Sequence, residues 1–324
     1  MKTLLPYLCC LAVALLVLLP VIFGDPSTVQ APNTNASETV KPQSPPAIQL
    51  SILGWNLQSG ENDPAVIAEQ LKELAGYDVY CLCEVHADNF ERYAAALPNR
   101  FVSVPSTTGG GDRMQIAFDG DSFEPLDVKE LREFNEGRHQ QRAPLLVRLR
   151  DRRSDTEFVV MVNHLARDDD ELRVRQAIGL REWARAQTVG VICVGDFNFD
   201  FSFKTQKGNE ALPEMLRDNI WDWVQPEEWI DTQWSDDDGK DRYPDSMLDF
   251  AFVSGPAKQW DPKCRVIVRE GDFPDDYSTS DHRPVELRLE LGAHSSQPAE
   301  LQCCLLYTSP SPRDGLLPRM PSSA

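Results

Sequence analysis

From Ala47 to Gly292 short apolar runs alternate with segments whose apolar residues recur every three or four positions. The run Ile48-Gln49-Leu50-Ser51-Ile52 alternates apolar and polar residues, as a half-buried strand does. Asp63-Pro64 predicts a helix start, with aspartate as cap and proline in the first turn. Ile67, Leu71 and Leu74 give that helix its inner stripe, and Gly76 stops it. Asp78 to Cys83 reads as a strand and Phe90 to Leu97 as a second helix. Strands are expected at Phe101–Val104, Met114–Phe118, Leu145–Leu149 and Phe158–Val162. A helix with Val174, Ala177 and Ile178 inward comes next, then the strand Val189–Val194 and a helix at Glu210–Arg217. The last strands are Met247–Val253, Arg265–Val268 and Val285–Leu291. Interleaving on this scale predicts an α/β domain of two packed sheets flanked by helices, spanning residues 47–292.

The flanks differ in kind. Leu4 to Phe23 is uncharged and apolar, preceded only by Lys2, and as helix it would cross a bilayer core of ~30 Å. Residues 1–24 are therefore a signal peptide or an N-terminal membrane anchor; no clean small-x-small cleavage site decides between them. Either would export the rest of the chain, secreted, periplasmic or anchored with the domain outside the cytoplasm. Residues 25–46 are rich in Ser, Thr, Asn, Gln and Pro and read as a disordered tether. At the other end, Cys304 to Asp314 resembles the conceptual translation of a transposase adaptor used in sequencing libraries. Residues 293–324 are set aside as a tail, from about Gln302 as an artefact.

Charge narrows the range of partners. The chain carries 32 basic and 51 acidic residues, a formal net charge of −19. A long basic groove tracking many phosphates is not expected, whereas a small site with a bound cation is compatible. Four cysteines lie in the folded region, Cys81, Cys83, Cys193 and Cys264. Their scatter reads as buried free thiols rather than a disulfide framework. Gly109-Gly110-Gly111 lacks the Lys-Ser/Thr of a phosphate loop and reads as a flexible turn. Asp236-Asp237-Asp238-Gly239 resembles part of a calcium loop, but Trp234 stands where the first carboxylate should be. Arg148, Arg150, Arg152 and Arg153 read as an exposed face, and Trp221, Trp223, Trp229 and Trp234 mainly as core packing. Asn35-Ala36-Ser37 fits an N-glycosylation acceptor.

The chemistry sits where the apolar runs end. Gly54-Trp55-Asn56, Cys83-Glu84-Val85, Gly195-Asp196-Phe197-Asn198 and Ser280-Asp281-His282-Arg283-Pro284 each adjoin an expected strand. Strand ends can converge at one sheet edge, and this set of oxygen donors suits Mg²⁺, Mn²⁺ or Ca²⁺. Together with Asn163-His164-Leu165 and Leu248-Asp249-Phe250-Ala251-Phe252, in this order, they resemble the endonuclease/exonuclease/phosphatase superfamily. The resemblance implies a four-layer α/β/β/α sandwich and divalent-metal hydrolysis of a phosphoester. It implies Glu84, Asn56 and Asp281 at the metal, and His164, Asp196, Asn198, Asp249 and His282 as catalytic residues. Asp196 and Asn198 can hold a water between them, and the proton's acceptor, Asp196 or His282, is left open. In the resemblance Asp249 orients His282, and His164 serves the leaving oxygen, with Asp112 as a poor match for its acidic partner. The expected substrate is a phosphodiester, nucleic acid first, handled by a monomer that meets the membrane through residues 4–23 if these are uncleaved. A lipid-headgroup or inositol-phosphate esterase, or a non-catalytic binding module on the same fold, are the alternatives.

Overall fold

β1 (Ile48–Asn56) is the strand around which the first sheet is laid down. It runs parallel to β2 (Val79–Val85) and antiparallel to β12 (Val285–Leu291). β11 (Lys263–Val266), β4 (Arg113–Asp119) and β3 (Phe101–Pro105) complete the order β11-β12-β1-β2-β4-β3. The second sheet has the order β5-β6-β7-β8-β10-β9. Its members are β5 (Phe123–Glu130), β6 (Leu145–Asp151), β7 (Glu157–His164), β8 (Gly190–Phe201), β9 (Trp221–Trp223) and β10 (Met247–Ser254). In this computed structural model the described residues are 48–134, 142–234, 246–269 and 278–291. The apolar leader, the tether, the tail and the acidic run 236–239 lie outside them.

Alternation along each strand sorts side chains into three apolar layers. Leu50 and Ile52 of β1 point between the sheets, where they meet the layer containing Val147, Val160 and Ile192. The next residues along, Leu53 and Trp55, face outward onto α1 (Pro64–Glu73) and α2 (Phe90–Ala96), against Ile67, Leu71 and Tyr93. Met161, Cys193 and Phe250 cover the outer face of the second sheet beneath α3 (Asp170–Arg185) and α4 (Ala211–Leu216). Each buried Leu, Ile or Phe contributes about 1.5–3 kcal/mol, so these layers dominate the stability of the four-layer α/β/β/α sandwich.

Helix starts follow their caps. The Asp63 side chain accepts from Ala65 N with Pro64 in the first turn, and Asp169 accepts from Leu172 N to open α3. α3 is rotated from the stripe expected at Val174, Ala177 and Ile178. Its buried face is Leu172, Gln176, Ala177, Leu180 and Ala184, and Val174 and Ile178 sit on its shoulder. The rotation buries Arg173 and Arg181, whose guanidiniums donate to the Ala166 and Arg167 carbonyls and to Glu214. β5 is an edge strand that the apolar pattern does not announce. Only Phe123 in it is buried, and Pro125 is tolerated because one side of the strand is unpaired. β11 lies two residues upstream of its expected position, at Lys263–Val266. The four cysteines are buried free thiols. Trp221 is buried in the layer beneath α3, with Trp223 and Trp229 packed on it. Arg148, Arg150 and Arg153 are taken up in ion pairs with Glu157, Glu124 and Asp151.

One buried carboxylate staples the β11–β12 edge. Glu286 accepts two hydrogen bonds each from Arg265 and Arg288, and one from the Tyr77 hydroxyl at 2.7 Å. Burial pushes this carboxyl up, but the two guanidiniums and the hydroxyl outweigh it and hold it at about 2. The stabilisation is therefore complete above the ordinary value of 4.5 and is lost as pH falls from there towards about 2. Glu286→Gln should lower the urea-unfolding free energy at pH 7 by on the order of 2 kcal/mol, with the gap shrinking at pH 3. A gap that stays constant between the two pH values would contradict the assignment.

Candidate active site

The two sheets approach closely where Gly54, near the end of β1, faces Val194 of β8. A methyl group on Gly54 would lie 2.2 Å from Val194 Cγ1, so only a residue without a side chain lets the strands approach this far. Beside it, Gly195 has φ +146°, and a Cβ there would sit 2.1 Å from the Asn163 carbonyl oxygen. This close approach lets the end of β7 lie beside the middle of β8, in parallel register with Asn163 opposite Gly195 and His164 opposite Asp196. Gly195→Ala should destabilise the protein by roughly 3–5 kcal/mol, through both the clash and the backbone strain. Urea denaturation measures this directly, and a loss below about 1 kcal/mol would mean that the close approach is not required.

Strand ends from both sheets meet at this edge. Asn56, wholly buried, donates through Nδ2 to Glu84 Oε1 at 3.1 Å and to Asp196 Oδ2 at 3.0 Å. Its side-chain carbonyl oxygen accepts from Gln58 N at 3.0 Å. The residue thus ties two carboxylates together through Nδ2, while its carbonyl oxygen, the atom that would meet a cation in the role the resemblance implies, holds one hydrogen bond. Glu84 leaves β2 at φ +48°, where the pairing with β4 shifts register, and its side chain is 23% exposed. Asn198, at φ +50°, caps Asp196 through its backbone N–H at 2.9 Å and anchors its amide on the Leu165 carbonyl at 3.1 Å.

His282 and Asp249 form a close ionic pair, Nδ1 to Oδ2 at 2.7 Å, both buried. Thr232 Oγ1 accepts from Asp249 N, and Ser280 Oγ accepts from His282 N, both at 3.0 Å, which fixes the two residues. Burial alone would push this imidazole down, but Asp249, Asp281 and Asp196 outweigh it and hold it up at about 10. His282 is thus an imidazolium at neutral pH, its Nε2 lying 3.9 Å from Asp196 Oδ2 and 3.8 Å from Asp281 Oδ1. Asp196 is driven towards its neutral form. Burial and the Asp249 charge push its carboxyl up to about 7.

His164 has the opposite character to His282. Burial, with the charges of Arg142, His282 and Arg167 added, pushes its imidazole well below the usual value, so the ring is neutral. Its Nε2 lies 3.5 Å from Asp196 and 3.7 Å from Glu84, and its Nδ1 faces Asp112 Oδ1 across 3.8 Å. Both atoms of that last pair are buried without a hydrogen-bond partner. Asp112, the poor match in the sequence, therefore stands where an acidic partner belongs. The glycine run before it folds as a turn, Asp112 N to the Gly109 carbonyl at 2.9 Å, that aims the side chain. Arg142, which sequence reasoning missed, pairs with Asp112 Oδ2 and donates to the His164 carbonyl at 3.5 Å. An arginine just before an apolar strand carries no spacing signal that would have found it. Burial pushes the Asp112 carboxyl up to about 7 despite this arginine.

A cleft of ≈ 120 Å³ opens among these groups, lined among others by Glu84, His164, Asp196, Asn198, Asp281 and His282. Asn56 and Asp249 sit behind its wall, each bonded to a residue that lines it. Of the expected site residues, all eight converge here. The sequence profile of the Endonuclease/Exonuclease/phosphatase family matches residues 53–282. The chain belongs to this family. Its members are divalent-metal-dependent hydrolytic phosphoesterases, and the family fold is the sandwich described above. Solved structures share that fold at low identity. An endonuclease/exonuclease/phosphatase family protein from Bacteroides thetaiotaomicron is 18% identical, covering 75% of this chain and 98% of its own, with TM-score 0.57. TDP2 from D. rerio, in complex with a single-strand DNA product, is 17% identical over 74% and 98%, with TM-score 0.58. A mannosyl-6-phosphatase from Bacteroides thetaiotaomicron is 16% identical over 74% and 98%, with TM-score 0.53. No curated protein matches the chain.

The donor set fits the family's metal. Glu84, Asp196 and Asp281 line one small cleft, and the buried Asp281 Oδ1 has no hydrogen-bond partner. Burial and the charge of Asp249 push Asp196 up to about 7, and the negative charge gathered among these carboxylates is what a divalent cation would neutralise. Glu84, Asp112 and His164 also each offer an atom within 4.8 Å of the others. There the carboxylates face opposite ring nitrogens of His164, an arrangement that suits hydrogen bonding to the ring better than one shared ion.

Proposed function

We propose that this protein is an exported divalent-metal-dependent phosphodiesterase that cleaves a phosphoester by in-line attack of water, with a nucleotidyl ester as the favoured substrate. The observation that carries this reading is the Asn56 bridge, which sets a carboxylate from each sheet at one cleft beside a buried imidazolium. Glu84 and Asp281 would hold a Mg²⁺ or Mn²⁺ ion, which when bound neutralises phosphate charge and draws electrons from phosphorus.

The remaining steps belong to the side chains. Asp196 accepts a proton from the attacking water, and a carboxyl pushed up to about 7 is well matched to that task near neutrality. Asn198 holds the aspartate's other oxygen through its backbone N–H and keeps the carboxylate aimed. The oxygen of water adds to phosphorus as the bond to the leaving oxygen breaks opposite it. His282, charged and fixed by Asp249, stabilises the negative charge that grows on the phosphoryl oxygens. His164, neutral, gives its Nε2–H proton to the leaving oxygen as Nδ1 takes a proton from the protonated Asp112 carboxyl facing it, and solvent then reprotonates Asp112.

A DNA product on a protein of the same fold supports the nucleotidyl substrate. The net charge of −19 favours a second reading, in which the same cleft hydrolyses a lipid-headgroup or inositol phosphate ester. Activity on bis(p-nitrophenyl) phosphate with Mg²⁺ or Mn²⁺, abolished by chelator, is the expected result, and no turnover with any divalent ion would leave a binding module. Glu84→Gln should reduce kcat by at least roughly 10²–10³-fold while the metal-free protein melts at the same temperature or higher, because one crowded charge is gone. Full activity in that variant would remove Glu84 from the metal. Export rests on the Leu4–Phe23 run, and a mature N-terminus beginning past Phe23 would select cleavage over anchoring.

A further inference from the structure

A second, larger recess opens off the same wall as the cleft. It has a volume of ≈ 660 Å³ and shares Arg167, Asn198, Gln233 and Leu248 with the cleft. The loop after β7, the first turn of α3 and the turn from Asp200 to Lys204 form its sides. A cleft of ≈ 120 Å³ has room for a phosphoryl group and little else, so the remainder of a substrate must lie outside it. The recess falls within the range of small-molecule pockets, roughly 300–1,000 Å³, a size that suits one or two rings rather than a polymer.

Its lining sets the chemistry. Three aspartates, Asp168, Asp200 and Asp231, face Arg167 and Lys204, while Asp170 is taken up by Arg173. Arg173 is buried, with its guanidinium bound to the Ala166 and Arg167 carbonyls and to Asp170, so it offers little to a ligand. Arg167 lines both the recess and the cleft, which leaves the exposed Lys204 as the free-standing cation of the recess alone. Carboxylates in that proportion repel a second phosphate and accept hydrogen bonds from hydroxyls. Phe203 supplies an aromatic wall, half-buried and held against Trp229 with ring centroids 6.1 Å apart. A ring with hydroxyls on its edge and an apolar face satisfies both surfaces.

We propose that this recess receives a neutral, hydroxyl-bearing ring that carries the scissile phosphate, a sugar or a nucleoside, and that the protein discriminates against substrates with further phosphates. The proposal rests on the hydrolytic reading of the cleft and adds the substrate class.

The test compares four substrates with Mg²⁺ present: methyl p-nitrophenyl phosphate, the p-nitrophenyl diesters of thymidine 5′-phosphate and of glucose 6-phosphate, and a short single-stranded oligonucleotide. At least one ring-bearing diester should exceed the methyl ester in kcat/KM by about tenfold, and which one separates nucleoside from sugar. Phe203→Ala should erase that advantage, and Asp168→Lys should raise kcat/KM for the oligonucleotide about tenfold relative to the ring diester, with a salt dependence the parent lacks. Ring diesters no better than the methyl ester, or an oligonucleotide preferred by the parent protein, would overturn the proposal. Failure to hydrolyse any of the four substrates would instead overturn the hydrolytic reading, and this one with it.

Discussion

The carboxamide of Asn56 joins Glu84 of its own sheet to Asp196 of the other, at distances of 3.1 and 3.0 Å. Without an intervening donor, two carboxylates in a buried edge would repel one another and force the sheets apart. The amide can reach both only because Gly54 and Gly195 remove side chains from the seam between β1, β7 and β8. Strand register, the choice of glycine and the placement of the cleft's carboxylate oxygens are therefore one problem with one solution. The apolar layers on either side of the seam provide the rigidity that keeps it so.

From that seam the two histidines acquire opposite characters. His282 lies against Asp249 and stays charged, whereas His164 is neutral in a pocket that also contains Arg142. Similar side chains a few ångströms apart thus have different work available to them, one meeting growing negative charge and one transferring a proton. Environment assigns the roles, as it does wherever paired titratable groups are pushed in opposite directions.

Much of this was legible in the residues before any coordinates. The alternating runs located most strands, and the eight site residues do converge, although β8 runs on to Phe201 and so holds Asp196 and Asn198 within the strand rather than past its expected end at Val194. What stayed hidden has physical causes. β5 exposes most of its residues at a sheet edge, so no apolar alternation marks it. α3 turned its arginines inward because backbone carbonyls and Glu214 were there to receive them, information no periodicity contains. Asn56 was legible as a site residue but not in orientation, since the direction of an amide is decided by neighbours such as Gln58 N. Arg142 and the aim of Asp112 depend on a turn and a loop that meet only in space.

Left-handed backbone at Glu84, Asn198 and Asp200 has an evolutionary corollary. The cost is largest at Glu84, about 1–2 kcal/mol relative to glycine, and smaller at Asn198 and Asp200, whose residue types adopt this region readily; all three line the cleft or the recess beside it. Selection for heat resistance and selection for turnover consequently pull against each other at this rim. A lineage released from catalysis would be expected to relax there first, exchanging acids for glycine while the sandwich beneath persists.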